Sequence, residues 1–164
     1  MKYLYKNAKV DTINANLENM HIDFFVPGIR RGFTIKGEKK TFKRLVVRFL
    51  FWLATRGRAK VYYATQDGRL SHTSYVIPKC YKFPFLGADD YEIGPCFTYS
   101  EYRGRGLYPA ILRYICGSVG KDNSTFYMIV DENNTPSIKG IEKAGFEKCG
   151  TVKVSPIMKK YRLE

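Results

Sequence analysis

The most restrictive feature of this chain is the run from Tyr91 to Leu112, YEIGPCFTYSEYRGRGLYPAIL. It opens as an apolar strand and turns at Ser100-Glu101-Tyr102. It then passes two glycines, Gly104 and Gly106, that alternate with Arg103 and Arg105, before a helical pattern starts at Leu107. Strand, glycine-rich turn and helix N-terminus together form an anion site. The turn's N–H groups converge and the helix dipole adds positive potential. Glycine is required because a Cβ would obstruct both the turn dihedrals and the approach of a phosphate, and the arginines bring charge to the same place. A chain built around this unit must hold a sheet whose strand ends at a ligand and a helix packed back across it.

The remaining composition is compatible with one such unit. The 164 residues carry 45% hydrophobic and 15% aromatic side chains, enough for a core and against disorder. Net charge is +13, which favours a polyanionic partner without choosing among nucleic acid, a phosphorylated cofactor, an acidic glycan or an anionic membrane. Cys80, Cys96, Cys116 and Cys149 show no C-x-x-C spacing, and His21 and His72 stand apart, which argues against a metal site. The N-terminus has no apolar signal-like region. The longest apolar run, Leu45 to Ala54, is interrupted by Arg48 and is too short for a bilayer span, so the expected location is cytoplasmic, with reduced thiols.

Along the chain, periodicity predicts a first strand at 1–5 and a helix at 11–20 carrying Ile13, Leu17 and Met20. The stretch 21–39, broken by Pro27, Gly28, Gly32 and Gly37, reads as loop with a short strand piece at 33–35. A helix is expected over 41–56, closed by Gly57. Apolar residues cover most of its circumference, while Arg44, Arg48 and Thr55 form a narrow polar stripe, so burial against the sheet is expected rather than a membrane or partner surface. Strands at 60–65 and 71–77 flank Asp67-Gly68, a hairpin signal. After a long connector and the organising stretch come a strand at 124–130, a helix from Pro136 to Lys143, and a last hairpin around Ser155-Pro156.

Two stretches together resemble the GNAT superfamily of acyl-CoA-dependent N-acyltransferases. Thr98 to Leu107, with Arg103-Gly104-Arg105-Gly106, resembles the family's Q/R-x-x-G-x-G/A motif between a strand and a helix. Asn134 to Phe146, with its Asn start and its Lys-x-Gly-Phe end (Lys143-Ala144-Gly145-Phe146), resembles the family's second motif. The likeness covers 58–164 well and 1–57 in general plan. It implies a single domain over 1–164 with an α/β (α+β) fold: a mixed, mostly antiparallel sheet of about six to seven strands flanked by about four helices. It implies an acetyltransferase that moves an acetyl group from acetyl-CoA to a primary amine. The acceptor can be a small molecule, an amino sugar or a peptide.

The resemblance also assigns residues. The turn Arg103, Gly104, Arg105, Gly106, Leu107 and Tyr108 would hold the pyrophosphate. The edge Cys96, Phe97 and Thr98 would pair with the pantetheine arm and present an N–H to the acyl oxygen. Asn134 and Ser137 would complete the cofactor site, and Gly94-Pro95 fits a distortion in that strand. Two positions depart from the pattern: Tyr108 replaces a small residue, and Ile141 stands where many members carry a tyrosine that protonates the leaving thiolate.

The resemblance also makes Glu92 the candidate general base, since the histone-acetylating branch of the family carries a glutamate at the equivalent strand position; the alternative is a strand carboxylate paired with a cation. Strand alternation puts Glu92, Gly94, Cys96 and Thr98 on one face and Ile93, Pro95 and Phe97 on the other. Cys96 and Cys149 lack a neighbouring histidine in sequence, and His72 reads as a surface or packing residue. Two other functions compete. One is a basic nucleic-acid-binding module, opposed by the scatter of the cations. The other is a membrane-associated acyltransferase for longer acyl chains, suggested by helix 41–56.

Overall fold

The computed structural model describes residues 1–8, 20–30, 32–38, 41–156 and 160–164. All its strands belong to one eight-stranded sheet ordered β2-β3-β4-β5-β6-β1-β7-β8. The strands are β1 Lys2–Ala8, β2 Met20–Phe25, β3 Lys60–Gln66, β4 Arg69–Pro78, β5 Tyr91–Thr98, β6 Thr125–Asp131, β7 Glu147–Val154 and β8 Tyr161–Leu163. Three α-helices accompany them: α1 Phe42–Ala54, α2 Leu107–Ser118 and α3 Thr135–Lys143. Every neighbouring pair is antiparallel except β5 and β6. The expected mixed, mostly antiparallel sheet is therefore present, with eight strands where six or seven were expected and, among the described residues, three α-helices where four were expected. The helix expected over 11–20 lies outside the described residues except for Met20, which opens β2.

β2 is the strand that local pattern does not reveal. The stretch after His21 read as loop, yet Met20–Phe25 pairs with β3 along its whole length. Pairing with β3, rather than alternation of its own, makes it a strand. The strand piece expected at 33–35 does not form; Gly28 and Gly32 make an isolated bridge instead.

Other local signals are obeyed. Asp67 and Gly68 have φ of 51° and 74°, the double positive φ that a two-residue hairpin turn requires. α1 ends through left-handed Arg56 and Gly57, whose N–H bonds the Trp52 carbonyl at 2.7 Å.

The sheet separates two cores. On one face α2 and α3 pack Leu107, Ile111, Leu112, Ile115 and Ile141 against Tyr5, Val76, Ile93 and Phe126. On the other, Phe51 of α1 and the connector's Phe83 and Leu86 pack against Val61, Tyr75 and Ile77.

α1 corrects the expectation of a helix buried mainly against the sheet. Its only buried residues are Arg48 and Phe51. Phe42, Val46, Phe49, Leu50 and Leu53 are exposed. The polar stripe is the side that faces the protein. Arg48, 1% exposed, donates two hydrogen bonds to Glu38 at 2.6 and 2.9 Å, one to the Tyr75 hydroxyl at 2.9 Å and one to the Phe33 carbonyl at 2.9 Å. A buried guanidinium demands such partners, and they turn the helix over. Among the described residues no helix is long and apolar enough to cross a membrane.

Candidate active site

The site begins where the sheet splits. β5 and β6 pair only at Tyr91↔Phe126 and Glu92↔Tyr127, after which β5 continues without β6. On its other side β5 stays with β4, through an irregularity between Ser74 and Val76. The unpaired residues opposite are Gly94 and Pro95, joined by a cis peptide bond.

This bulge overturns the expected strict alternation. Glu92 pairs with Ile77, whose side chain lies in the core on the α1 face. Ile93 pairs with Val76 on the α2 face, and Cys96, three residues on, packs on that same face. One extra residue inverts the side-chain parity of everything after it, so Cys96 and Thr98 share a face with Ile93 and not with Glu92.

Beyond β5 the chain makes a 3-10 turn at Ser100–Tyr102 and enters α2 through Gly104 and Gly106, both at φ 74°. A Cβ on either glycine would meet nothing within 4 Å, so the turn faces open space, and the left-handed φ is strained for any other residue. Between this turn, β5, α2 and α3 lies a cavity of about 520 Å³. Ten of the eleven residues expected at the cofactor line it. Cys96, Phe97 and Thr98 form the strand wall. Arg103, Gly104 and Gly106 form the turn, Leu107 and Tyr108 the first turn of α2, and Asn134 and Ser137 the start of α3. Arg105 is the exception: its guanidinium lies 6.0 Å from the Tyr102 ring centre, outside the lining. Arg103 is tied to the strand end, its Nε donating to the Thr98 carbonyl at 2.9 Å. Asn134 caps α3, its Oδ1 accepting the Ser137 N–H at 3.3 Å.

Six lining residues were not among those expected at the cofactor: Tyr102, Pro109, Pro136, Lys139, Gly140 and Lys143. Lys139 and Lys143 bring two more cations to the rim of an anion site; their i, i+4 spacing on α3 was the available signal. Gly140 lies between them. A Cβ there would fall 2.5 Å from the Tyr108 ring. The bulk of Tyr108, where the family pattern has a small residue, is thus accommodated by a glycine on the facing helix.

A polar chain runs behind the strand wall. Thr98 Oγ1 lies 2.7 Å from His72 Nδ1, His72 Nε2 lies 2.6 Å from Ser74 Oγ, and Ser74 Oγ donates to Cys96 Sγ at 3.1 Å. With Ser74 donating onward, the imidazole carries its proton on Nε2 and accepts the Thr98 hydroxyl at Nδ1. Burial pushes the His72 pKa down to about 3, so the ring is neutral. The Tyr108 hydroxyl bonds the same thiol, and burial, first of all, raises its pKa. Burial likewise pushes the Cys96 thiol up to about 12. Cys96 is therefore a thiol and not a thiolate. A histidine does stand near it, but through Ser74, and it arrives from β4 instead of from neighbouring sequence.

Two other expected positions fall outside the cavity. Ile141 is 1% exposed and belongs to the core on the α2 face. Glu92 is 5% exposed and does not line the cavity. Its Oε2 is buried with no hydrogen-bond partner among the described residues. Burial raises its pKa to about 8 against a smaller opposing effect of Lys82. Its carboxyl abuts the bulge, since a Cβ on Gly94 would lie 2.7 Å from Glu92 Oε1.

No protein-family model matches the chain, and no curated protein matches it either. Solved structures do. An acetyltransferase from the GNAT family of Colwellia psychrerythraea superposes with a TM-score of 0.56 at 16% identity, over 90% of this chain and 52% of that one. A tandem GNAT protein from the clavulanic acid biosynthesis pathway gives 0.59 at 16% identity, over 90% of this chain and 50% of that one. A functionally unknown conserved protein of Staphylococcus epidermidis gives 0.59 at 10% identity, over 90% and 57%. The chain thus spans about half the length of the solved structures it matches. Splayed sheet, glycine-rich turn and facing helices agree with these superpositions: this chain has the fold of the GNAT acetyltransferases.

Proposed function

We propose that this protein is an N-acetyltransferase that moves an acetyl group from acetyl-CoA to a primary amine, with residues 1–164 acting as one unit in the cytoplasm. The observation that carries the reading is the split of β5 from β6 directly beside a glycine-rich helix N-terminus. It offers a strand edge for a ligand with two amides and, next to it, an anion cradle for its phosphates. The donor set fits: Arg103, Lys139 and Lys143 supply charge, the turn glycines supply room, and Asn134 supplies an amide at the α3 rim.

Bound acetyl-CoA supplies an acetyl group activated as a thioester. The rest belongs to this chain. The open edge of β5, at Phe97 or Thr98, offers an N–H to the acyl oxygen. The neutral Cys96 thiol, pinned by Ser74 and Tyr108, is a poor nucleophile, which favours direct transfer to the amine over an acylated enzyme. Tyr108 presents its hydroxyl at the strand wall as a hydrogen-bond donor for the departing sulfur, while burial, which raises its pKa, keeps the proton on the phenol, so that water protonates the thiolate. Glu92 is the base, acting from the α1 face through water. A carboxyl held near pKa 8 is well matched to taking a proton from an ammonium.

The reading is tested by titration calorimetry with acetyl-CoA. Wild type should bind, and Gly106→Asp should lose most of the affinity, because it adds a carboxylate and a strained φ at the anion cradle. Unchanged affinity in that variant would refute the assignment. Long-chain acyl-CoA and an oligonucleotide in a thermal-shift series separate the two competing functions, since only a ligand of the native state raises Tm.

A further inference from the structure

The outward apolar face of α1 has no role in the acetyl-transfer reading. Phe42, Val46, Phe49, Leu50 and Leu53 recur at i, i+4, i+7, i+8 and i+11, which places them on one side of the helix. All five are exposed, with Leu50 at 55% and Leu53 at 60%. Ile29, 76% exposed, lies near the C-terminal end of the helix, beside a recess that it lines with Trp52 and Gly57. A contiguous stripe of Phe and Leu facing outward marks an interaction surface.

Charge identifies the occupant. From Phe24 to Gln66 the chain holds eleven Lys and Arg against one acidic residue, Glu38, so this segment accounts for +10 of the total +13. Glu38 does not offset that charge at the surface, because its side chain is 4% exposed and paired with Arg48. Lys43 at the start of α1, Arg56 and Arg58 at its end and Arg30 beside Ile29 are all exposed. An apolar helical stripe bordered by cations and free of acids is the composition of a helix that lies in the plane of an anionic bilayer. Nucleic acid would use the cations but leave the stripe in water.

We propose that this protein docks on anionic membrane surfaces through α1, with the Phe42–Leu53 stripe entering the headgroup boundary and Lys43, Arg56 and Arg58 contacting lipid phosphates. The inversion of α1 by Arg48 is what makes this possible, because it commits the polar stripe to the protein and leaves the apolar one outside.

The test uses vesicle flotation with phosphatidylcholine alone and with about 30% phosphatidylserine added. Wild type should float with the anionic vesicles, less so as salt is raised, and the emission of Trp52, the only tryptophan in the chain, should shift to the blue. Leu50→Glu with Leu53→Glu should weaken binding by about tenfold or more while leaving Tm and acetyl-CoA affinity as in wild type. Lys43→Glu with Arg56→Glu should weaken it and flatten the salt dependence. Three results would overturn the proposal. One is failure of wild type to bind either vesicle. Another is a wild-type dimer, seen by light scattering, that Leu50→Glu dissolves. The last is a fall in Tm for the double leucine variant, which would show the stripe packed inside the protein.

Discussion

Glu92→Gln should abolish a loss of stability that wild type undergoes between about pH 6.5 and pH 8. The Glu92 carboxyl is raised from 4.5 to about 8 by burial. Below pH 4.5 it is protonated in the folded and unfolded chain alike, and its contribution to stability is fully present. As pH rises towards 8 the unfolded chain releases that proton while the folded chain keeps it, so stability falls by about 1.4 kcal/mol per pH unit. His72 works in the opposite sense. Its pKa drops from 6.5 to about 3, so between those values the unfolded chain holds the extra proton and stability rises with pH at the same slope. The two slopes cancel between pH 4.5 and 6.5, giving a plateau. Above it Glu92 acts alone, over about 1.5 pH units, and removes about 2 kcal/mol. Urea denaturation at fixed ionic strength, at both ends of that window, measures the difference directly. Wild type should lose about 2 kcal/mol and Glu92→Gln less than about 0.5 kcal/mol. Equal losses in the two proteins would refute the assignment of the slope to this buried carboxyl.

Other substitutions test the remaining structure. Arg48→Ala should destabilise the fold by about 3 kcal/mol in urea titrations, because the buried Glu38 carboxylate loses both of its short bonds to Arg48 and keeps the longer 3.4 Å contact with Arg44. Gly140→Ala should weaken acetyl-CoA binding in calorimetry by displacing the Tyr108 ring, which a new Cβ would meet at 2.5 Å, and Tyr108→Ala in the same chain should relieve the clash. Ile141→Tyr should lower stability by about 1–3 kcal/mol, since the position lies inside the core on the α2 face and an added ring overpacks it. Once an acceptor is found, wild-type turnover should rise with pH as the Glu92 carboxyl ionises around pH 8, and Glu92→Gln should remove that rise and lower turnover by about 10²–10⁴-fold near pH 8.

What the sequence determined by itself is what neighbouring residues enforce. Asp67-Gly68 sets a hairpin because both positions must take positive φ, and Gly104 and Gly106 set the anion turn for the same reason. Leu107 and Pro136 open helices where backbone rules place them. These local facts outlined most of the strands, and the family resemblance added ten of the cavity's lining residues. Tertiary structure decided everything that depends on which distant groups meet. The face on which Glu92 lies was settled by one bulge opposite Ser74 and Val76, and no alternation rule survives an inserted residue. His72 joins Cys96 only because β4 and β5 align Ser74 between them. β2 became a strand by pairing with β3, 40 residues away at Asp23 and Tyr63. α1 shows the limit most clearly. Its periodicity revealed an amphipathic helix but not which side would be buried, and a guanidinium satisfied by Glu38, Phe33 and Tyr75 turned the apolar side outward. Hydrophobic pattern fixes the period of an element, whereas its orientation follows from the strongest contact it makes, and here that contact is an ion pair.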